Sequence, residues 1–187
     1  MKKYLVLDVE TSGISNNPLS PCENMQIVSI GMIVVDQQLN EIDKLYVPIK
    51  WNGESEWQAA AEKIHGLSKE YLQEHGVDEI LALEEIAVFL DTHFDKEPIT
   101  LMGTNVMTFD RLFLMQLLKK YDIYFKFDHR GLDTTTLAFL FDCNNSKDFL
   151  ALMGMERQSE KHNALEDAGF VLKIFKIVKE ITNEVGN

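Results

Sequence analysis

Acidic residues recur in this chain in three places, each with a companion at fixed spacing. Asp8-Val9-Glu10-Thr11-Ser12-Gly13 closes an apolar run, Gly103-Thr104-Asn105 leads to Phe109-Asp110, and His162-Asn163-Ala164-Leu165-Glu166-Asp167 lies far downstream. Asp8 and Glu10 are two apart, so on a strand both project from one face while Leu7 and Val9 turn to the other. If Asp8, Glu10, Asp110 and Asp167 converge, they repel one another. Two like charges ~4 Å apart cost about 4 kcal/mol at an effective dielectric near ~20. Such a cluster persists with a cation in it, and oxygen donors point to Mg²⁺ or Mn²⁺ rather than zinc. Two cations roughly 4 Å apart can grip both the attacking and the leaving oxygen of an in-line displacement at phosphorus. His162 adds an imidazole, whose ordinary pKa near ~6.5 lets it accept a proton from water at neutral pH.

These groups need elements to carry them. Tyr4 to Val9, Gln26 to Asp36 and Glu41 to Ile49 read as strands, the last two as an antiparallel hairpin around Asn40. Ile14 to Asn24, with Pro18 and Pro21, reads as a loop. Helical spacing runs from Val77 to Phe94, Pro98 ends it, and Ile99 to Met102 follows as a short strand. Leu112 to Leu118 is an apolar helix with Asn105 or Thr108 as its N-cap, and Asp110 near its start also suits the helix dipole. A short strand near Ile123 to Phe125 comes next. The last helix shows Leu165, Ala168, Val171, Leu172, Phe175, Val178 and Ile181 on one face. Asn163 followed three residues later by Glu166 resembles a capping box, which starts that helix after Asn163. Glu166 then turns back towards Asn163, Asp167 falls on the second turn, and His162 stays on the polar loop Met155 to Lys161. This order supports an α/β layered domain.

Taken together, Asp, Glu, Asp and Asp, with a His five residues before the last Asp, resemble the signature of the DEDDh 3′→5′ exonucleases, the DnaQ-like group. The resemblance covers nearly the whole chain and implies a single exonuclease domain over residues 1–187. It implies a ribonuclease-H-like fold, a mixed five-stranded sheet with helices on both faces. By resemblance Asp8, Glu10, Asp110 and Asp167 are ligands of two divalent cations and His162 is the general base. His at that position, not Tyr, implies the DEDDh branch. The implied reaction removes nucleoside 5′-monophosphates from the 3′ end of single-stranded DNA or RNA.

Ile64-His65-Gly66-Leu67, after a helix candidate at Trp57 to Lys63, resembles the family's segment that packs on the terminal nucleotide. Gly66 would allow close backbone approach and Leu67 would wedge at the base. The same residues also read as a helix stop at Gly66 with His65 in the last turn. The resemblance places Thr11 and Ser12 at the terminal ribose and lets Asn105 and Phe109 contact the strand, although Phe109 also suits the core. One departure is Ser29 before Ile30-Gly31, where many relatives carry an acid. The loop from Ser15 to Asn24 is long enough to shape access to the site.

The bulk numbers narrow the class of ligand. The chain has 187 residues, 45% hydrophobic, which suits one domain with a sizeable core. Its net charge is -12, and two divalent cations would offset only four of those charges. A protein that wraps long duplexes needs a basic surface, so a strand end or a short oligomer is the expected partner. Bases near the site residues are few: Arg111, Lys147, Arg157 and Lys161. Cys22 and Cys143 form no metal spacing and read as free thiols in a reducing compartment. Asp8 and Glu10 break the opening apolar run too early for a secretory signal, and no run is long enough to span a membrane. A soluble, cytoplasmic protein with no membrane partner is expected. Several stand-alone relatives are dimers, so a homodimer is one expectation, and any polymerase link would run through a partner.

Overall fold

The computed structural model describes residues 2–143, 146–155 and 161–185. Five strands form one sheet in the order β3-β2-β1-β4-β5. They are β1 (Tyr4–Thr11), β2 (Ile27–Val35), β3 (Glu41–Pro48), β4 (Thr100–Gly103) and β5 (Leu132–Asp133). The β1–β2 and β2–β3 pairs are antiparallel, and β4 runs parallel to both β1 and β5. β2 is buried along its whole length, whereas β3 is an edge strand blunted by Glu41, Asp43 and Lys44.

Alternation along β1 divides the core. Leu5, Leu7 and Val9 pack with α3 (Glu79–Phe94) and α4 (Asp110–Lys120). Val6, Ile33 and Met102 pack on the other face with Ala168, Val171 and Leu172 of α7 (Ala164–Val185). Each large apolar side chain buried here stabilises the fold by about 1.5–3 kcal/mol. The sheet is thus mixed, five-stranded and covered on both faces, as expected.

Four short helices complete the described residues: α1 (Ala59–His65), α2 (Lys69–His75), α5 (Thr134–Leu140) and α6 (Ser146–Leu152). Three expectations need correction. The fifth strand is the two-residue Leu132–Asp133, not Ile123 to Phe125. Asp122, at φ 58, turns the chain out of α4, and Ile123 and Phe125 pack against the core as loop residues. α1 starts at Ala59, so Trp57 precedes it and donates from its indole Nε1 to Glu62 Oε2 at 2.7 Å. The N-cap of α4 is Phe109, and neither Asn105 nor Thr108 caps it with a side chain. Instead the Asn105 carbonyl accepts from Thr108 N and Phe109 N. Among the described residues no helix is long and apolar enough to cross a membrane.

Candidate active site

β1 carries the first two carboxylates. The strand continues past Val9 to Thr11, so Asp8 and Glu10 are strand residues rather than turn residues. Pairing with β2 shifts by one between Glu10 (opposite Ser29) and Thr11 (opposite Ile27). Such an irregularity re-aims side chains at a strand end. Glu10 is nearly buried.

Asp110 is the first residue of α4 and is 3% exposed. Its Oδ1 accepts a hydrogen bond from Val9 N at 2.9 Å, which ties α4 to β1 between Asp8 and Glu10. Burial, with Asp133 nearby, outweighs that bond and pushes the Asp110 carboxyl up to about 7. The loop before it is held from β5. Asp133 Oδ1 accepts from Asn105 N at 3.1 Å and from Thr135 N at 2.9 Å, and its Oδ2 accepts from Val106 N at 3.2 Å. Asp133 therefore caps α5 and fixes the approach to α4 at once. Its place in a two-residue strand left no periodic signal to find it by.

α7 carries the last carboxylate. Asn163 Oδ1 accepts from Leu165 N at 3.0 Å and Glu166 N at 3.2 Å, so Asn163 caps the helix as expected. Asp167 falls in the first turn, not the second, and is nearly buried, while Glu166 is exposed. The helix start lies directly on β2. A Cβ added to Gly31, which pairs with Asp8, would sit 2.3 Å from Ala164 C. A side chain there would lift α7, and Asp167 with it, off β1.

His162 lies just outside α7. Its Nδ1 is 3.3 Å from Asp167 Oδ2, and its backbone N donates to Ile64 O of α1 at 3.0 Å. Residues 156–160 of the preceding loop, Arg157 included, lie outside the described residues, as does the side chain of Lys147.

α1 ends at Gly66, at φ 74, so the helix-stop reading holds. His65 is buried, its Nδ1 accepts from Leu67 N at 3.0 Å, and burial holds its pKa below the ordinary value. With Nδ1 accepting, the ring proton is assigned to Nε2, which is buried with no hydrogen-bond partner among the described residues. Trp57 meets the His65 ring edge-on at 6.2 Å, and Trp51 meets Trp57 at 6.0 Å. The Lys69 ammonium lies over Trp51, 3.7 Å from its ring centre.

One cavity of about 350 Å³ is lined by all five expected catalytic residues, Asp8, Glu10, Asp110, His162 and Asp167, and by Phe109. Ligand atoms of Glu10, His162 and Asp167 lie within 4.8 Å of one another. Glu10 and Asp167, both nearly buried, form that group with His162, while Asp8 and Asp110 line the same cavity outside it; a donor set dominated by carboxylate oxygens fits a divalent cation. The remaining expected contacts do not line the cavity. Ser12 is fully buried and its Oγ accepts from Gln26 N at 3.0 Å, while the Thr11 hydroxyl donates to Gly13 O at 2.9 Å. Asn105 is exposed at φ 55, and Leu67 is half-buried. The apolar wall of the cavity is Ile64, 49% exposed, with Leu150 and Phe170. Phe170, Val171 and Ile174 follow Asp167 by three, four and seven residues, a helical spacing that could have marked them as lining. The Ser15 to Asn24 loop does not line this cavity. Its Leu19, Ser20 and Cys22 border a separate apolar cavity of about 580 Å³ beside α4.

The fold is ribonuclease-H-like, shared with solved exonucleases. Exonuclease I of E. coli in complex with a dT13 oligonucleotide superposes with a TM-score of 0.74 at 18% identity, over 96% of this chain and 41% of that one. A moderately thermophilic exonuclease I from Methylocaldum szegediense gives 0.76 at 17%, over 96% and 41%. A zinc-bound form of the E. coli exonuclease I–ssDNA complex gives 0.74 at 17%, also over 96% and 41%. The chain spans about two fifths of the length of these exonucleases. No curated protein sequence matches it. The RNase_T family model, described as exonuclease, matches residues 5–175, and the chain belongs to that family.

Proposed function

We propose that this chain is a DEDDh-type 3′→5′ exonuclease that releases nucleoside 5′-monophosphates from single-stranded nucleic acid. The observation that carries this reading is the convergence of four carboxylates from β1, α4 and α7, with His162, on one small cavity. Asp8, Glu10, Asp110 and Asp167 would hold two divalent cations, Mg²⁺ or Mn²⁺. Cations held by these residues would supply Lewis-acid activation of a water and of the leaving group. The protein's own groups do the rest. Asp167 Oδ2, 3.3 Å from His162 Nδ1, would orient the ring so that Nε2 accepts the proton of the attacking water. Ile64 and Phe109 flank the carboxylates and shape a slot for a terminal nucleotide. The exonuclease I structures described with a dT13 oligonucleotide and with ssDNA support a single strand as substrate. The zinc-bound form makes the choice of ion a matter for direct comparison.

A second reading keeps the chemistry and restricts the substrate to short oligonucleotides. The net charge of -12 and the cavity of about 350 Å³ favour it. One experiment tests both: 3′- and 5′-labelled single-stranded DNA and RNA of several lengths, with Mg²⁺, Mn²⁺, Zn²⁺ or chelator. Metal-dependent mononucleotides from the 3′ end support the proposal, and products dominated by internal cuts overturn it. Rates that keep rising beyond about six nucleotides exclude a short-oligomer specialist, because further phosphates are then contributing to binding.

A further inference from the structure

His162 precedes α7 in sequence, yet α1 holds its main chain. The last turn of α1 presents carbonyls that the helix itself leaves unbonded. His162 N donates to Ile64 O at 3.0 Å, and Lys161 Nζ donates to Lys63 O at 2.9 Å. The Lys161 methylenes run across Gly66, where an added Cβ would meet Cδ at 3.0 Å and Cε at 3.2 Å. α1 is in turn tied to the residue that follows β1 through its N-cap, where Gln58 N donates to Ser12 O at 2.8 Å. A continuous path therefore runs from β1, beside Glu10, through α1 to the segment that carries the imidazole.

We propose that Lys161 and the C-terminal turn of α1 form a latch that sets the position of the His162 imidazole, with Lys161 as a positioning residue. The proposal rests on the exonuclease reading above. Ile64 gives the latch a second property. Its carbonyl holds His162 while its side chain, half-exposed, forms a wall of the cavity. A strand end packed against Ile64 presses on the residue that holds the general base, so an occupied cavity and a placed imidazole go together. The competing role for Lys161 is a contact to a strand phosphate, which would act on binding rather than on turnover.

Two substitutions separate these roles. Lys161→Met keeps methylenes over Gly66 and removes the donor, and Lys161→Arg keeps a donor. The measurements are kcat, KM and salt dependence on a single strand, together with NMR hydrogen exchange of the His162 backbone N–H. Lys161→Met should lower kcat roughly 10- to 100-fold, the scale of an ångström-level misplacement, with KM and salt dependence nearly unchanged. The His162 N–H should exchange faster, and Lys161→Arg should recover most of both effects. A raised KM with weaker salt dependence, an unchanged kcat, or a lowered kcat with unchanged His162 exchange overturns the latch. If the unsubstituted protein cleaves no strand at all, the exonuclease reading fails, and the exchange comparison alone still decides whether the latch exists.

Discussion

The two sides of the cavity are built differently. On one side Asp110 and Glu10 are nearly buried, and Asp110 is hydrogen-bonded to the strand that carries Asp8 and Glu10. On the other, the His162 side chain is 40% exposed, and one backbone bond from His162 and one side-chain bond from Lys161 hold its segment to a seven-residue helix. Cation ligands belong where the core fixes them, because a cation requires several oxygens at set distances. A proton acceptor must meet water and release its proton, which favours the exposed side. Placement and turnover should therefore respond to different substitutions.

The largest effect is expected on the buried side. Asp8→Ala or Asp167→Ala should abolish hydrolysis, a loss beyond about a thousandfold, with the circular dichroism spectrum unchanged. Retained activity in either would remove the distinction. His162→Ala should be milder in binding and severe in turnover: roughly 100- to 10,000-fold lower kcat with cation affinity preserved, measured by titrating Mn²⁺. A loss of Mn²⁺ affinity equal to that of Asp167→Ala would make His162 a ligand and erase the contrast.

Gly31→Ala tests the packing beneath the carboxylates. A methyl group 2.3 Å from the α7 backbone should destabilise the fold by about 1–3 kcal/mol and weaken Mn²⁺ binding, read by thermal unfolding with and without the ion. The smallest effect is the pH dependence of Asp110. Its folded-state pKa is raised, so its contribution to stability is complete below roughly pH 4 and is lost as pH rises through about 7. In chelator the melting temperature of Asp110→Asn should therefore gain on that of the unsubstituted protein across this window. Added Mg²⁺ should reverse the order above pH 7. Parallel curves in chelator would show that burial does not govern this carboxyl.

Much of this site was legible in the residues themselves. The two-residue spacing of Asp8 and Glu10 on an apolar strand fixed their common face, and Asn163 marked the start of α7. Both signals are local, which is why they survive without a structure. That Ile64 lines the cavity is not legible from the segment Ile64 to Leu67. Which side chain of a helix end faces a cavity depends on where that end docks, here against Lys161 and His162. Asp133 and β5 were missed for a related reason. Two residues carry no period, and a carboxylate that binds backbone N–H groups 27 and 28 residues away leaves no spacing to read. The role of Gly31 likewise depends on α7, which begins more than 130 residues later.

Both tryptophans of the chain, Trp51 and Trp57, sit beside α1 rather than in the main core. Trp57 meets His65 edge-on, and Lys69 lies over Trp51. The intrinsic fluorescence of this protein is therefore an optical gauge of one edge of its cavity. A single strand added with Ca²⁺ in place of Mg²⁺ should shift the emission as α1 adjusts, with no label attached, and Ile64→Ala should diminish that shift while leaving the emission of the strand-free protein in place.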